Sequence, residues 1–157
     1  MSAAVKYEIR DATEDDVEFL STRLRAMDLK EISSASGRFP RAALRSGLRT
    51  STICRVGLAD GVVICIYGVR PQSSLSCEAS VWMLGTDDLQ KHAMKFGREC
   101  GIQVKEMLKD FKVILNYCHA ENKLTIRWLK WLGFKINKPK PYGRKQELFH
   151  LFYMENE

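Results

Sequence analysis

Val5, Tyr7 and Ile9 alternate with Lys6, Glu8 and Arg10 near the start of the chain, the period-two pattern of a strand with one buried face. Thr13 and Asp16 then precede Val17, Leu20 and Leu24 at helical spacing, which reads as a capping box opening a helix. A short amphipathic piece, Met27 to Ile32, a Ser-Gly-Pro break and a second helical piece, Pro40 to Ser46, follow. These pieces are expected to cover one end of a sheet. Two β-rich runs meet at Ala59-Asp60-Gly61, and Asp-Gly between apolar runs predicts a hairpin of two antiparallel strands. "EASVWML" is another strand. Beyond Gly85-Thr86-Asp87-Asp88, the apolar face of Met94, Val104, Met107 and Leu108 predicts a long helix ending near Asp110.

"KVILNYCH" reads as the next strand, with Asn122 as the N-cap of a short helix and Gly133 as its stop. Leu124, Trp128, Trp131 and Leu132 share one face of that helix, so the Trp pair is expected to pack it onto the sheet. "FKI", a Pro-Lys-Pro-Tyr-Gly connection and "ELFHLFYM" predict a closing hairpin. The order of elements is an α+β layout, a mostly antiparallel central sheet with helices on both faces. No repeat, low-complexity tract or linker breaks it, so residues 1–157 are expected to form one domain.

Composition changes this picture little. At 157 residues and 45% apolar content the chain can bury one ordinary core. The net charge of +6 suits an acidic partner or phosphate, but it is spread along the chain. The five cysteines stand singly, without a C-x-x-C pair, and their odd count argues for a reducing compartment. No signal-like apolar core opens the chain, and no stretch approaches the roughly 20 apolar residues of a membrane helix. A soluble, intracellular protein is expected. Nothing has the spacing of a metal site. Nucleic-acid binding lacks a recognition helix, zinc spacing or aromatic platform, and the basic run Phe134 to Lys145 reads as a solvated hairpin.

In "HAENKLTIRWLKWLGFKI", Asn122 begins the last helix, and Gly133 and Phe134 follow eleven and twelve residues on. This resembles the C-terminal signature of the GCN5-related N-acetyltransferase (GNAT) superfamily. A narrower resemblance runs through "LSTRLRAMDLKEISSASG", "AALRSGLRTS", "VWMLGTDDLQKHAMKFGREC", "NYCHAENKLTIRWLKWLGFKI" and "PKPYGRKQELFHLF". Together these are similar to a phage-encoded family of GNAT-like proteins related to internal virion protein A of short-tailed phages. The resemblance implies two function classes. One is an N-acyltransferase dependent on acetyl-CoA or CoA, acting on a host protein or small amine. The other is a non-catalytic virion component or binder of host proteins. Either would place the chain in the host cytoplasm during infection, or in the virion.

Acyl transfer from a thioester to an amine needs a cradle for the pyrophosphate, donors for the thioester oxygen, a base and an acid. The superfamily's Q/R-x-x-G-x-G/A cradle is degenerate here. Gln90 to Lys95 has Ala93 and Lys95 for the two glycines, and Arg98 to Gln103 is expected inside the long helix, its Gly97 and Gly101 serving close packing. Lys91, His92 and Lys95 could supplement the cradle. The resemblance implies backbone donors at Trp82, Met83 and Leu84, and a contact from Asn122 to the cofactor arm. Glu78, or His119 at the end of the following strand, is the candidate base. The usual acid, a Tyr seven residues after the helix-starting Asn, falls on Leu129, leaving Tyr117 or Tyr142 to substitute.

Overall fold

A computed structural model describes residues 4–157. The opening alternation becomes β1 (Tyr7–Asp11), one residue pair shorter than the pattern. Thr13 caps α1 (Glu14–Leu20) with the reciprocal bonds of a capping box to Asp16, and Leu24 is buried beyond the helix rather than in it. The two short pieces extend to α2 (Ala26–Ala35) and α3 (Pro40–Thr50). Asp60 and Gly61 both take positive φ, 48° and 81°, as a two-residue hairpin between β2 (Ile53–Ala59) and β3 (Val62–Pro71) requires. Then follow β4 (Glu78–Gly85), α4 (Asp88–Leu108), β5 (Val113–His119), α5 (Lys123–Leu132), β6 (Lys135–Ile136), β7 (Lys140–Tyr142) and β8 (Glu147–Glu155).

The eight strands form one sheet in the order β1-β2-β3-β4-β5-β8-β6, with β7 also on β8. Every pairing is antiparallel except β4 with β5. The expected α+β class, with a mostly antiparallel sheet and helices on both faces, is what the chain adopts. Val17, Leu20 and Leu44 from α1 and α3 pack with Val56 and Ile66 in one cluster. On the other face Phe96, Val104 and Met107 of α4 and Leu129 of α5 pack with Cys65, Tyr67, Val69 and Ile114.

The expected Trp packing holds in part. Trp128 is half-buried against the second cluster, whereas Trp131 is 64% exposed and lies across Gly97 of α4, not on the sheet. A Cβ on Gly97 would meet the Trp131 ring at 2.9 Å, but one on Gly101 would meet nothing within 4 Å, so only Gly97 serves close packing. No helix among the described residues is long and apolar enough to cross a membrane.

Candidate active site

β4 and β5 begin side by side and then part. Their parallel pairing covers only Glu78, Ala79 and Ser80 against Val113, Ile114 and Leu115. Each strand nevertheless continues to its end along its outer neighbour, β4 on β3 as far as Gly85 and β5 on β8 as far as His119. The result is a V whose inner edges carry backbone groups that the ladder would otherwise use. On β4 the direction of these groups follows from the alternation of an antiparallel pair. Gln72 N–H donates to Glu78 O, and Thr86 N–H donates to Ile64 O. Even-numbered residues of β4 therefore bond β3, and Val81, Met83 and Gly85 point into the V.

Asn116 sits at the vertex. Its Nδ2 donates to Val81 O at 2.8 Å while its Oδ1 accepts from Tyr117 N–H at 2.8 Å. One side-chain amide thus stands in for the next rung of the ladder and ends it. At the wide end, α2 spans the gap with two carboxylates one turn apart. Asp28 Oδ2 accepts from Gly85 N–H on β4 at 2.9 Å, and Glu31 Oε1 accepts from His119 N–H on β5 at 3.2 Å. Between vertex and wide end the N–H and C=O of Met83 face a cavity of about 860 Å³, within the size range of small-molecule sites. Its wall includes Glu31, Tyr67, Tyr117, Trp128 and Tyr142.

Two buried donors on this wall, Tyr67 Oη and Trp128 Nε1, have no hydrogen-bond partner among the described residues. Each such group costs roughly 1–3 kcal/mol until an acceptor reaches it. Tyr117 and Tyr142 stack with ring centroids 3.8 Å apart. Burial, reinforced by Tyr117, pushes the Tyr142 phenol up against the opposing effect of Arg70, so it stays protonated through neutral pH. Burial also pushes Glu31 above the usual glutamate range. Asp28 adds to this, and the hydrogen bond from Asn122 only partly offsets it.

The sequence-chosen residues are distributed unevenly around this cavity. Of Trp82, Met83 and Leu84, only Met83 turns its backbone to the V. Trp82 and Leu84 bond β3, and the Trp82 indole donates to Ser51 Oγ at 2.9 Å beneath α3. Glu78 is exposed at the joined end of the strands, five residues from Met83 and so roughly 17 Å along the strand. His119 is buried, with Nε2 2.8 Å from Glu147 Oε1 and Nδ1 accepting from Glu121 N–H at 3.1 Å. Both ring nitrogens are in use, which leaves no lone pair for an incoming amine. Tyr117 lies on the cavity wall.

Asn122 caps α5 through Oδ1 to Thr125 N–H, and its Nδ2 donates to Glu31 at 2.7 Å. Leu129 is buried in the core and has nothing to donate.

The phosphate cradle fares differently. α4 begins at Asp88, ahead of Gln90, so the stretch Gln90 to Lys95 is the first two turns of a helix and not a loop. Ala93 to Lys95 lie too far inside it to offer free N–H groups. At the helix start the Asp88 N–H donates to Thr86 Oγ1 and the Leu89 N–H to Thr86 O. Lys91 pairs with Asp88 at 3.2 Å, and His92 Nδ1 lies 2.7 Å from Tyr7 Oη on β1. Lys95 lines a separate groove beside β1. Asp87 and Asp88 place two carboxylates where the helix dipole would otherwise favour an anion.

Sequence reasoning missed Asn116 and Glu31. No local pattern marks either, because an Asn inside a strand and an acid in an amphipathic helix both read as solvent-facing. Among the described residues no group of three His, Cys, Asp or Glu side chains is arranged to hold a metal ion.

No family model matches the chain, and no curated protein matches it in sequence. Its fold is shared by solved acetyltransferases. The ribosomal-protein-S5-alanine acetyltransferase of Vibrio fischeri superposes with a TM-score of 0.70 at 14% identity, over 96% of this chain and 93% of that one. For yncA of Salmonella typhimurium, solved with its cofactor acetyl-CoA, the values are 0.69, 14%, 97% and 95%. A GNAT-family acetyltransferase of Streptococcus pneumoniae gives 0.66, 9%, 96% and 100%. At such identities the likeness establishes the GNAT fold and no more.

Proposed function

We propose that the chain is an N-acyltransferase that draws its acyl group from acetyl-CoA or a related thioester and passes it to an amine. The observation that carries this reading is the parted β4–β5 pair, with the Met83 N–H facing an open cavity. A fixed backbone donor of this kind can stabilise negative charge developing on a thioester oxygen, and it needs no reorganisation at the moment of reaction.

The residues present fit part of the cofactor. The cavity, with the Met83 backbone on one side and Tyr117 and Tyr142 on its wall, suits the amide-bearing arm that ends in the thioester. The start of α4 does not suit a pyrophosphate, because of Asp87, Asp88 and the engaged N–H groups. Arg38, Arg70 and Arg127 on the cavity rim are the cations available instead. When bound, the thioester supplies an activated acyl group. Tyr142, on the cavity wall and stacked on Tyr117, is the acid we assign to the departing sulfur.

A second reading, a GNAT fold kept as a scaffold without catalysis, is favoured by the acidic helix start and by Leu129 at the usual acid position. On either reading the chain is proposed to be phage-encoded, on the strength of the sequence resemblance. It would act on a host protein or metabolite in the host cytoplasm, or travel in the virion. Isothermal titration with acetyl-CoA and with CoA separates the two readings. Micromolar binding is expected for the enzyme, whereas no heat up to millimolar ligand leaves the scaffold.

A further inference from the structure

Glu31 is the acid most deeply built into the cavity, and no motif pointed to it. Three donors converge on one of its oxygens. Asn122 Nδ2 lies 2.7 Å, His119 N–H 3.2 Å and Cys118 Sγ 3.6 Å from Oε1. Oε2 has no hydrogen-bond partner among the described residues, yet it is not among the side-chain atoms closed off from solvent, and Glu31 lines the cavity. Arg25 is committed to Asp28 at 2.8 Å, so no cation pairs with Glu31 among the described residues. The carboxylate is thus fixed in direction through one oxygen and open through the other. It lies at the level of Cys118 and His119 on β5. The register places Cys118 across the V from Met83, since Ser80 pairs with Leu115 three residues before each.

We propose that Glu31 is the general base of this site, its Oε2 taking the proton of an acceptor amine that lies between it and Met83. The assignment rests on the acyl-transfer reading above. The balance is simple. The amine nitrogen forms a bond to the acyl carbon as the carbon–sulfur bond breaks, Glu31 takes a proton from that nitrogen, and the sulfur receives one from Tyr142, which regains its own through solvent. No redox partner is needed.

Glu31 also suits the role electrostatically. Burial raises its proton affinity toward that of a useful base, with Asp28 adding to the effect and the Asn122 hydrogen bond opposing it. The groups facing it are Asp28 and Arg25 from the α2 end, Cys118 and His119 from β5, and Asn122 at the start of α5, with Glu147 of β8 behind His119.

The test is Glu31→Gln, which keeps an acceptor oxygen for Asn122 and His119 while removing the basic one. Release of free thiol from acetyl-CoA is followed with spermidine and with a lysine-containing tetrapeptide as acceptors. Acetyl-CoA affinity is measured by calorimetry, and Glu31 is titrated by carbon-13 NMR of the unliganded protein. The expected results are a loss of about 10²-fold or more in kcat, unchanged acetyl-CoA affinity, and one carboxyl signal titrating above the usual glutamate range that is absent from the variant. Formate should restore part of the turnover of Glu31→Ala. Wild-type turnover matched by Glu31→Gln at all pH values overturns the base assignment alone. Absence of turnover in the wild type overturns the acyl-transfer reading and the assignment with it.

Discussion

Single side chains carry two separable kinds of stability here. Trp128 is half-buried in the core that α4 and α5 share, while Trp131 is 64% exposed over Gly97. Trp128→Ala is therefore expected to cost about 3 kcal/mol, near the low end for buried aromatics. Trp131→Ala should cost under about 1 kcal/mol, as for most surface positions. Urea unfolding of the two variants checks this, and equal losses would show that the division of burial is wrong.

Asp16 contributes through charge. Burial alone would raise its pKa, but the Arg10 guanidinium, at 2.7 Å and 3.0 Å, and the Thr13 bonds outweigh it and hold the carboxyl below its ordinary value. A depressed folded-state pKa adds stability at pH values above the unfolded pKa of about 4, and that stability is lost as pH falls through the folded value. Asp16→Asn should thus be less stable than the wild type by a constant amount at neutral pH, with the gap closing in acid. A gap that stays constant down to the lowest accessible pH would show that Asp16 keeps an ordinary pKa in the folded state.

Among the elements, α4 carries two carboxylates, Asp87 and Asp88, where a helix start would otherwise attract an anion. Asp87 makes no side-chain cap bond and Asp88 holds Lys91, so replacing both with Asn changes charge more than fold. The double variant should bind CoA more tightly than the wild type by about fivefold or more, in line with the worth of a charge at a helix end. Unchanged affinity in calorimetry would mean that the phosphates stay away from this helix start. The V depends on a different device, because Asn116 supplies both partners that the broken ladder lacks. Elements were easy to find in the sequence because each announces itself locally. The Asp60-Gly61 hairpin, the Thr13 capping box and the Gly133 stop are all turn or cap chemistry within a few residues. The lengths of α2 and α3 were harder, since both helices run three or more residues past the pieces that the pattern marks, whereas the end of α4 fell within two residues of its expected place.

Across the whole molecule, the cysteines report how the core is closed. None is in a disulfide, and only Cys77 is exposed. Burial pushes Cys54 and Cys65 up to about 12, and it raises Cys100 and Cys118 as well. Since the thiolate is the reactive form, iodoacetamide at neutral pH should modify Cys77 alone in the native protein and all five after unfolding, as mass spectrometry of the labelled protein would read. Rapid native labelling of Cys65 or Cys118 would show that the sheet opens far more readily than its packing implies.

The sequence by itself determined the order of elements, the α+β class and the Asn122-to-Phe134 stretch that resembles the GNAT signature, because period, caps and turns are written in neighbouring residues. It also showed that position 129 holds a Leu. Only the tertiary structure decided which backbone groups are free. Met83 faces the V while Trp82 and Leu84 do not, a distinction set by the register of β4 on β3. Glu78 fell at the closed end of the strands and Glu31 at the open one, for the same kind of reason. A carboxylate's role depends on which strand ends bring donors to it, and those contacts join residues as far apart as Glu31 and Asn122.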